Sequence, residues 1–112
     1  MEAKEMARLA VAALEDRKAV DVKVINIENI STLADYFIIA SGTNRNQVQA
    51  MSEAVEEELQ KHDIHPINIE GYQTANWILM DYGDIVLHIF DAENRLFYDI
   101  ERIWKDGSPA EL

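Results

Sequence analysis

The sequence predicts an α/β domain built as a single-layer mixed sheet of about five strands with covering helices. Three observations carry this expectation. Two segments, residues 2–19 and 44–62, repeat apolar side chains at three- and four-residue steps, which is the mark of a helix with one buried face. The run Tyr36-Phe37-Ile38-Ile39-Ala40 is short and wholly apolar, as expected of a strand buried on both faces. Residues 77–90 hold two apolar runs around a glycine-containing break, which reads as a hairpin.

In the first helix the buried stripe is Met6, Leu9, Ala10, Ala13 and Leu14. Glu2 and Glu5 fall in its first turn and Arg17 and Lys18 in its last, complementing the helix dipole. Residues 21–28 are β-rich through Val22, Val24, Ile25 and Ile27. After the strand at 36–40, Ser41-Gly42-Thr43 turns the chain into the second helix. Asn44 can cap that helix, with Gln47 placed like the third residue of a capping box. Its stripe is Val48, Met51, Val55 and Leu59. A further strand starts at Pro66, where proline is tolerated, and runs to Glu70. Residues 71–76 form a loop before the hairpin. Residues 91–104 suit one or two short helical turns, and 105–112, with Gly107 and Pro109, read as a flexible tail. The expected division is therefore a domain over 1–104 and a tail over 105–112.

Composition narrows the function. A chain of 112 residues suits one domain with a real core. No run approaches the roughly 18 apolar residues of a membrane span. The opening Met1-Glu2-Ala3-Lys4-Glu5 lacks the order of a secretory signal, and there is no cysteine, so a cytoplasmic location is expected. Twenty-one acidic against ten basic residues give a net charge of −11. Nucleic-acid binders gather Lys and Arg against phosphate, so direct binding to RNA or DNA is disfavoured. The same charge steers the chain toward a basic partner.

The hairpin carries the candidate site. A tight turn at Tyr82-Gly83 would pair Asp81 with Asp84, Met80 with Ile85, Leu79 with Val86, Ile78 with Leu87, and Trp77 with His88. One face then holds Ile78, Met80, Ile85, Leu87 and Ile89 and belongs to the core. The other holds Trp77, Leu79, Asp81, Asp84, Val86, His88 and Phe90, aromatic groups edged by carboxylates. Trp and Phe each bury roughly 150–250 Å². Left open, they form a patch of the size that is usually functional on a monomer. The carboxylates argue against complete burial, so a docking surface is expected rather than a second core. His88 beside Trp77 suits a hydrogen-bonding or stacking role, since no serine or cysteine nucleophile accompanies it.

Two groups of residues invite a catalytic reading. Gly42-Thr43 before a helix could seat a phosphate. Nucleotidyltransferases add two carboxylates at alternate strand positions soon afterward, and Asn68-Ile69-Glu70 offers one. No Gly-Lys-Ser/Thr follows either, so a structural turn is favoured. Asp81 and Asp84 flank a turn, where aspartate serves its own backbone, and no further residues give metal-ligand spacing. Asp99 and Glu101 have strand spacing inside a segment that reads helical. An enzyme using Gly42-Thr43 and Glu70 therefore stands as one alternative, and a plain homodimerisation module as another.

Several pieces of the chain resemble the ribosomal silencing factor family, also called Iojap-related or RsfS. They are Asp35-Tyr36-Phe37, Ser41-Gly42-Thr43, Glu70-Gly71, Trp77, Asp81-Tyr82-Gly83-Asp84, His88-Ile89-Phe90, Arg95, Tyr98, Glu101 and Trp104. Each is weak alone; their order and spacing are specific. The resemblance implies a nucleotidyltransferase-like shape without its catalytic carboxylates, and no cofactor. It implies binding to large-subunit ribosomal protein fourteen on the large ribosomal subunit. A protein seated there blocks joining of the small subunit and lowers translation when nutrients are short. Family members are also often homodimers when free. By the same resemblance Trp77, Leu79, His88 and Phe90 would be the apolar anchors, Glu70 and Asp81 would meet partner cations, Tyr82 would reach the same contact, and Arg95 would join it more loosely. The family commonly has arginine just before the second helix's stripe, where this chain has Asn46-Gln47 with Arg45 displaced by one residue.

Overall fold

A computed structural model of the chain describes residues 1–29, 31–93, 108–110 and 112. Its centre is β2 (Tyr36–Gly42), in which every residue is buried, as its unbroken apolar sequence requires. On one side β2 pairs antiparallel with β1 (Val20–Asn26), and on the other it pairs in parallel with β5 (Ile85–Asp91). Next to β5 lie β4 (Trp77–Asp81) and β3 (Asn68–Glu70), each antiparallel to its neighbour. A two-residue strand, β6 (Ser108–Pro109), closes the other edge, giving the order β3-β4-β5-β2-β1-β6. The sheet is mixed, with the five expected strands and this short sixth. The segment expected to fray thus contributes an edge strand: Ile25 and Asn26 face Pro109 and Ser108, and Ala110 N–H donates to the Val24 carbonyl at 2.9 Å. Proline is acceptable there because an edge strand has one side with nothing to pair.

Helices α1 (Ala3–Asp16) and α2 (Arg45–Gln60) pack on each other and on one face of the sheet. Their stripes, Met6, Ala10, Ala13 and Leu14 with Val48, Met51, Val55 and Leu59, meet Ile38, Ala40, Ile78, Met80, Ile85, Leu87 and Ile89 in the main core. Both helices stop earlier than the sequence suggests, each at a non-glycine residue in the left-handed region. Lys18 has φ 60° and Asp63 φ 61°. At the first, Ala19 N–H donates to Leu14 and Lys18 N–H to Glu15; at the second, Ile64 N–H donates to Leu59 and Asp63 N–H to Gln60. This paired pattern satisfies the last helical carbonyls. Arg17 and Lys18 consequently lie beyond α1 rather than in its last turn.

The hairpin loop sits one residue later than expected. Tyr82 N–H donates to the Ile85 carbonyl at 3.0 Å, so the loop residues are Gly83 and Asp84, with Gly83 at φ 86°. Glycine first in a two-residue loop fits the right-handed strand twist. Moving the loop by one residue shifts the pairing by two, which preserves the faces while changing the partners. Trp77 pairs with Phe90, Ile78 with Ile89, Leu79 with His88, Met80 with Leu87 and Asp81 with Val86. The division into core face and second face stands, and the expected Trp77–His88 pair becomes a diagonal one. Residues 94–107, which hold most of the expected helical turns along with Arg95, Asp99 and Glu101, lie outside the described residues.

Candidate docking surface

Along the second face, cross-strand pairing sets three rows: Trp77 with Phe90; Glu70, Leu79, His88 and Ile39; and Asn68, Asp81, Val86, Phe37 and Ile25. Ile27, Ala34, Phe37 and Val86 form one small cluster there, and Ile39 with Phe90 a second, neither containing a residue of α1 or α2. Exposure falls from the β3 edge inward. Glu70 and Asn68 are exposed, Trp77, Leu79 and Asp81 are half-buried, and the β5 residues are buried.

Three of the expected contact residues are therefore not open to water. His88 is 4% exposed and Phe90 0%; among the described residues the rings of Phe37, Trp77 and Phe90 pack about the imidazole and Ile39 lies against Phe90. The ring centroids lie 4.8 Å apart for Phe37–His88, 5.3 Å for Trp77–Phe90, 5.8 Å for Trp77–His88 and 6.4 Å for His88–Phe90. Such separations are favourable for aromatic pairs. Tyr82 is buried for a different reason: it points to the helix-covered face and joins the main core. Burial, and after it the Glu56 carboxylate, push its phenol above the usual range. Among the described residues its hydroxyl has no hydrogen-bond partner.

A side-chain hydrogen bond links Trp77 and His88 within this layer. The Trp77 indole Nε1–H donates to His88 Nδ1 at 3.1 Å. An accepting Nδ1 places the single proton of a neutral imidazole on Nε2. Nε2 is buried and, among the described residues, has no hydrogen-bond partner. Desolvation lowers the His88 pKa to about 4, so the ring is neutral at physiological pH. An unpaired buried donor costs on the order of 1–3 kcal/mol, which an apolar side chain would avoid.

Below this face Gly71 holds the backbone of the strip. With φ 82°, it lies so close that a Cβ would come within 2.1 Å of the Trp77 carbonyl oxygen. The loop it starts is tied to α2: Arg45 donates to the Gln73 carbonyl, Gln49 to the Tyr72 carbonyl at 2.9 Å, and the Tyr72 hydroxyl to Glu53 at 3.2 Å. Arg45 thus acts as a strut to the loop that leads into Trp77. No motif in the sequence marks this contact, because it spans 28 positions and joins a side chain to a backbone carbonyl.

The Gly42-Thr43 turn is internally satisfied. Gln47 Oε1 accepts from Thr43 N–H at 2.7 Å and Oγ1–H at 2.9 Å, while its Nε2 donates to the carbonyls of Arg17 and Lys18. Asn44 caps α2 by accepting from Gln47 N–H at 2.8 Å. The expected capping box is therefore half realised: the glutamine reaches one residue farther back, to Thr43, and fastens the end of α1 as well. A Cβ on Gly42 would lie 2.9 Å from Val48, so helix packing accounts for the glycine. Glu70 is on β3, separated from β2 by β4 and β5, about 14 Å at the usual strand spacing. The carboxylate beside Gly42 is instead Asp91. β5 ends at Asp91 and residues 92–93 are helical, so Asp91 and Glu93 are not alternate positions of one strand, although both line a hollow with Thr43, Asn44 and Arg45. Asp81 serves its turn, accepting from Gly83 N–H at 2.8 Å. Among the described residues no group of three or more His, Cys, Asp or Glu could hold a metal ion.

The class the fold defines is a small mixed α/β domain with two helices on one face of its sheet. The chain belongs to the ribosomal silencing factor family: residues 1–112 match the model described as "Ribosomal silencing factor during starvation". It is 38% identical over 112 residues to ribosomal silencing factor RsfS of Halalkalibacterium halodurans, covering 100% of this chain and 96% of that protein. It is 29% identical over 99 residues to mitochondrial assembly of ribosomal large subunit protein 1 of Mus musculus, covering 86% of this chain and 43% of that one. A crystal structure of a Chromobacterium violaceum protein superposes with a TM-score of 0.92 at 33% identity, covering 98% of this chain and 92% of the other. The family's role is a ribosome-associated, regulatory silencing one.

Proposed function

We propose that this protein is a noncatalytic translation repressor of the cytoplasm that docks on the large ribosomal subunit through large-subunit ribosomal protein fourteen. Seated there, it blocks association with the small subunit, above all in nutrient limitation. The observation that carries this reading is the strip Trp77, Leu79 and Asp81, half-buried on β4 beside exposed Glu70 on β3. It offers apolar anchors next to carboxylates, on a chain of net charge −11 suited to a basic partner. The mouse relative's name ties that protein to the ribosomal large subunit, which supports the choice of subunit. Trp77, Leu79, Asp81 and Glu70 make the contact; His88 and Phe90 support Trp77 from the neighbouring strand; Tyr82 serves the main core instead; Arg95 lies outside the described residues.

The test is sedimentation of purified protein with separated large and small subunits, followed by subunit joining in its presence. Co-sedimentation with large subunits alone and fewer joined ribosomes are expected. Binding to small subunits, or unchanged joining despite occupancy, would overturn the proposal. The engagement of Thr43 N–H by Gln47 and the distance of Glu70 from that turn support the noncatalytic reading over the phosphate-binding one. The free protein forms a homodimer in this reading, checked by its mass in solution with and without the ribosomal partner.

A further inference from the structure

The docking strip has its one aromatic anchor, Trp77, in contact with a buried imidazole that core packing does not need. His88 is 4% exposed, lies among Phe37, Trp77 and Phe90, and has no partner for Nε2 among the described residues. A leucine or phenylalanine would fill an apolar layer without stranding a polar atom. The one thing the imidazole does that no hydrocarbon can is accept the Trp77 indole N–H, over 3.1 Å.

We infer that His88 is a positioning residue for docking: by accepting at Nδ1 it turns the indole N–H inward and presents the partner with a hydrocarbon ring surface. This rests on the docking role proposed for Trp77 and adds the chemistry that the strip selects. The sole polar atom of the indole is committed inside the protein, so the group that meets Trp77 on the partner is aliphatic or cationic, not a hydrogen-bond acceptor. An aliphatic stem ending in a charge, as on lysine or arginine, satisfies both the ring face and the neighbouring Asp81 and Glu70. Among the described residues, Phe90 stacks on the ring with an interplanar angle of 28°, and His88 accepts from the indole N–H, which favours the rotation that turns Nε1 inward.

Two variants separate positioning from packing. His88→Leu keeps the apolar volume and removes the acceptor, whereas His88→Asn places a carbonyl oxygen near the position of Nδ1. The readouts are the Trp77 indole N–H resonance of the free protein, assigned by its loss in Trp77→Phe, and affinity for purified large subunits. In His88→Leu the resonance is expected to shift upfield and become solvent-exchangeable, with affinity reduced tenfold or more in a folded protein. In His88→Asn the resonance stays downfield and affinity recovers to within about threefold. An unmoved indole resonance in His88→Leu, or full affinity once it has moved, would overturn the inference; so would a folded His88→Asn with the bonded resonance but no recovery of binding. Because the resonance is read without ribosomes, failure of the docking role itself shows separately, as unchanged large-subunit affinity in Trp77→Ala.

Discussion

At the scale of single residues, His88 links stability to pH. Its pKa is lowered from 6.5 to about 4 by burial, so between those values the unfolded chain takes up a proton that the folded chain refuses. The contribution is complete above pH 6.5 and lost as pH falls toward 4, a difference of about 3 kcal/mol at 1.36 kcal/mol per unit. Urea unfolding across this range should show wild type losing stability faster than His88→Leu; parallel pH profiles would contradict the assignment. Gly71 is the second decisive residue. With φ 82° and the Trp77 carbonyl 2.1 Å from a built Cβ, Gly71→Ala is expected to cost about 2 kcal/mol or more and to displace Trp77. Chemical denaturation with tryptophan fluorescence checks both effects. The sequence marked Trp77 and His88 as neighbours, and they are. It could not reveal that His88 is sealed, because the same alternation of residues describes a docking face and a second core equally well.

At the scale of elements, the strands were legible because apolar content and turn chemistry coincide: an unbroken apolar run for β2, alternation in β4, and Gly83 between β4 and β5. The hairpin pairing was legible only in its parity, since a loop at Tyr82-Gly83 and one at Gly83-Asp84 give the same faces. The ends of α1 and α2 were not legible. Lys18 and Asp63 take the left-handed conformation usually given to glycine, so no composition signal stops either helix. Nor was β6, since Gly107 and Pro109 read as a tail until their neighbours meet the edge of β1. The start of α2 was visible in Asn44, and its energetic worth is testable. Asn44→Ala removes the acceptor for Gln47 N–H and should destabilise the protein by about 1 kcal/mol. Thermal unfolding measures this, and a stability within error of wild type would show that the cap is dispensable.

At the scale of the whole molecule, two helices cover one face of the sheet, and Trp77 and Leu79 lie half-buried beside Asp81 and Glu70 on the other, at the β3–β4 edge. A net charge of −11 makes the encounter with a basic partner long-ranged in dilute salt. The association rate with large subunits should therefore fall several-fold from low to physiological salt, while dissociation changes less. Stopped-flow measurement at a series of ionic strengths distinguishes this from a contact governed by apolar burial alone, for which the association rate would stay level.

The dependence of all this on one half-buried indole makes the deciding measurement simple. Trp77→Ala, shown by circular dichroism to keep its fold, should lose at least tenfold in affinity for purified large ribosomal subunits and should no longer hinder subunit joining. A folded Trp77→Ala that binds and hinders as wild type does would place the contact elsewhere on the molecule and contradict the account.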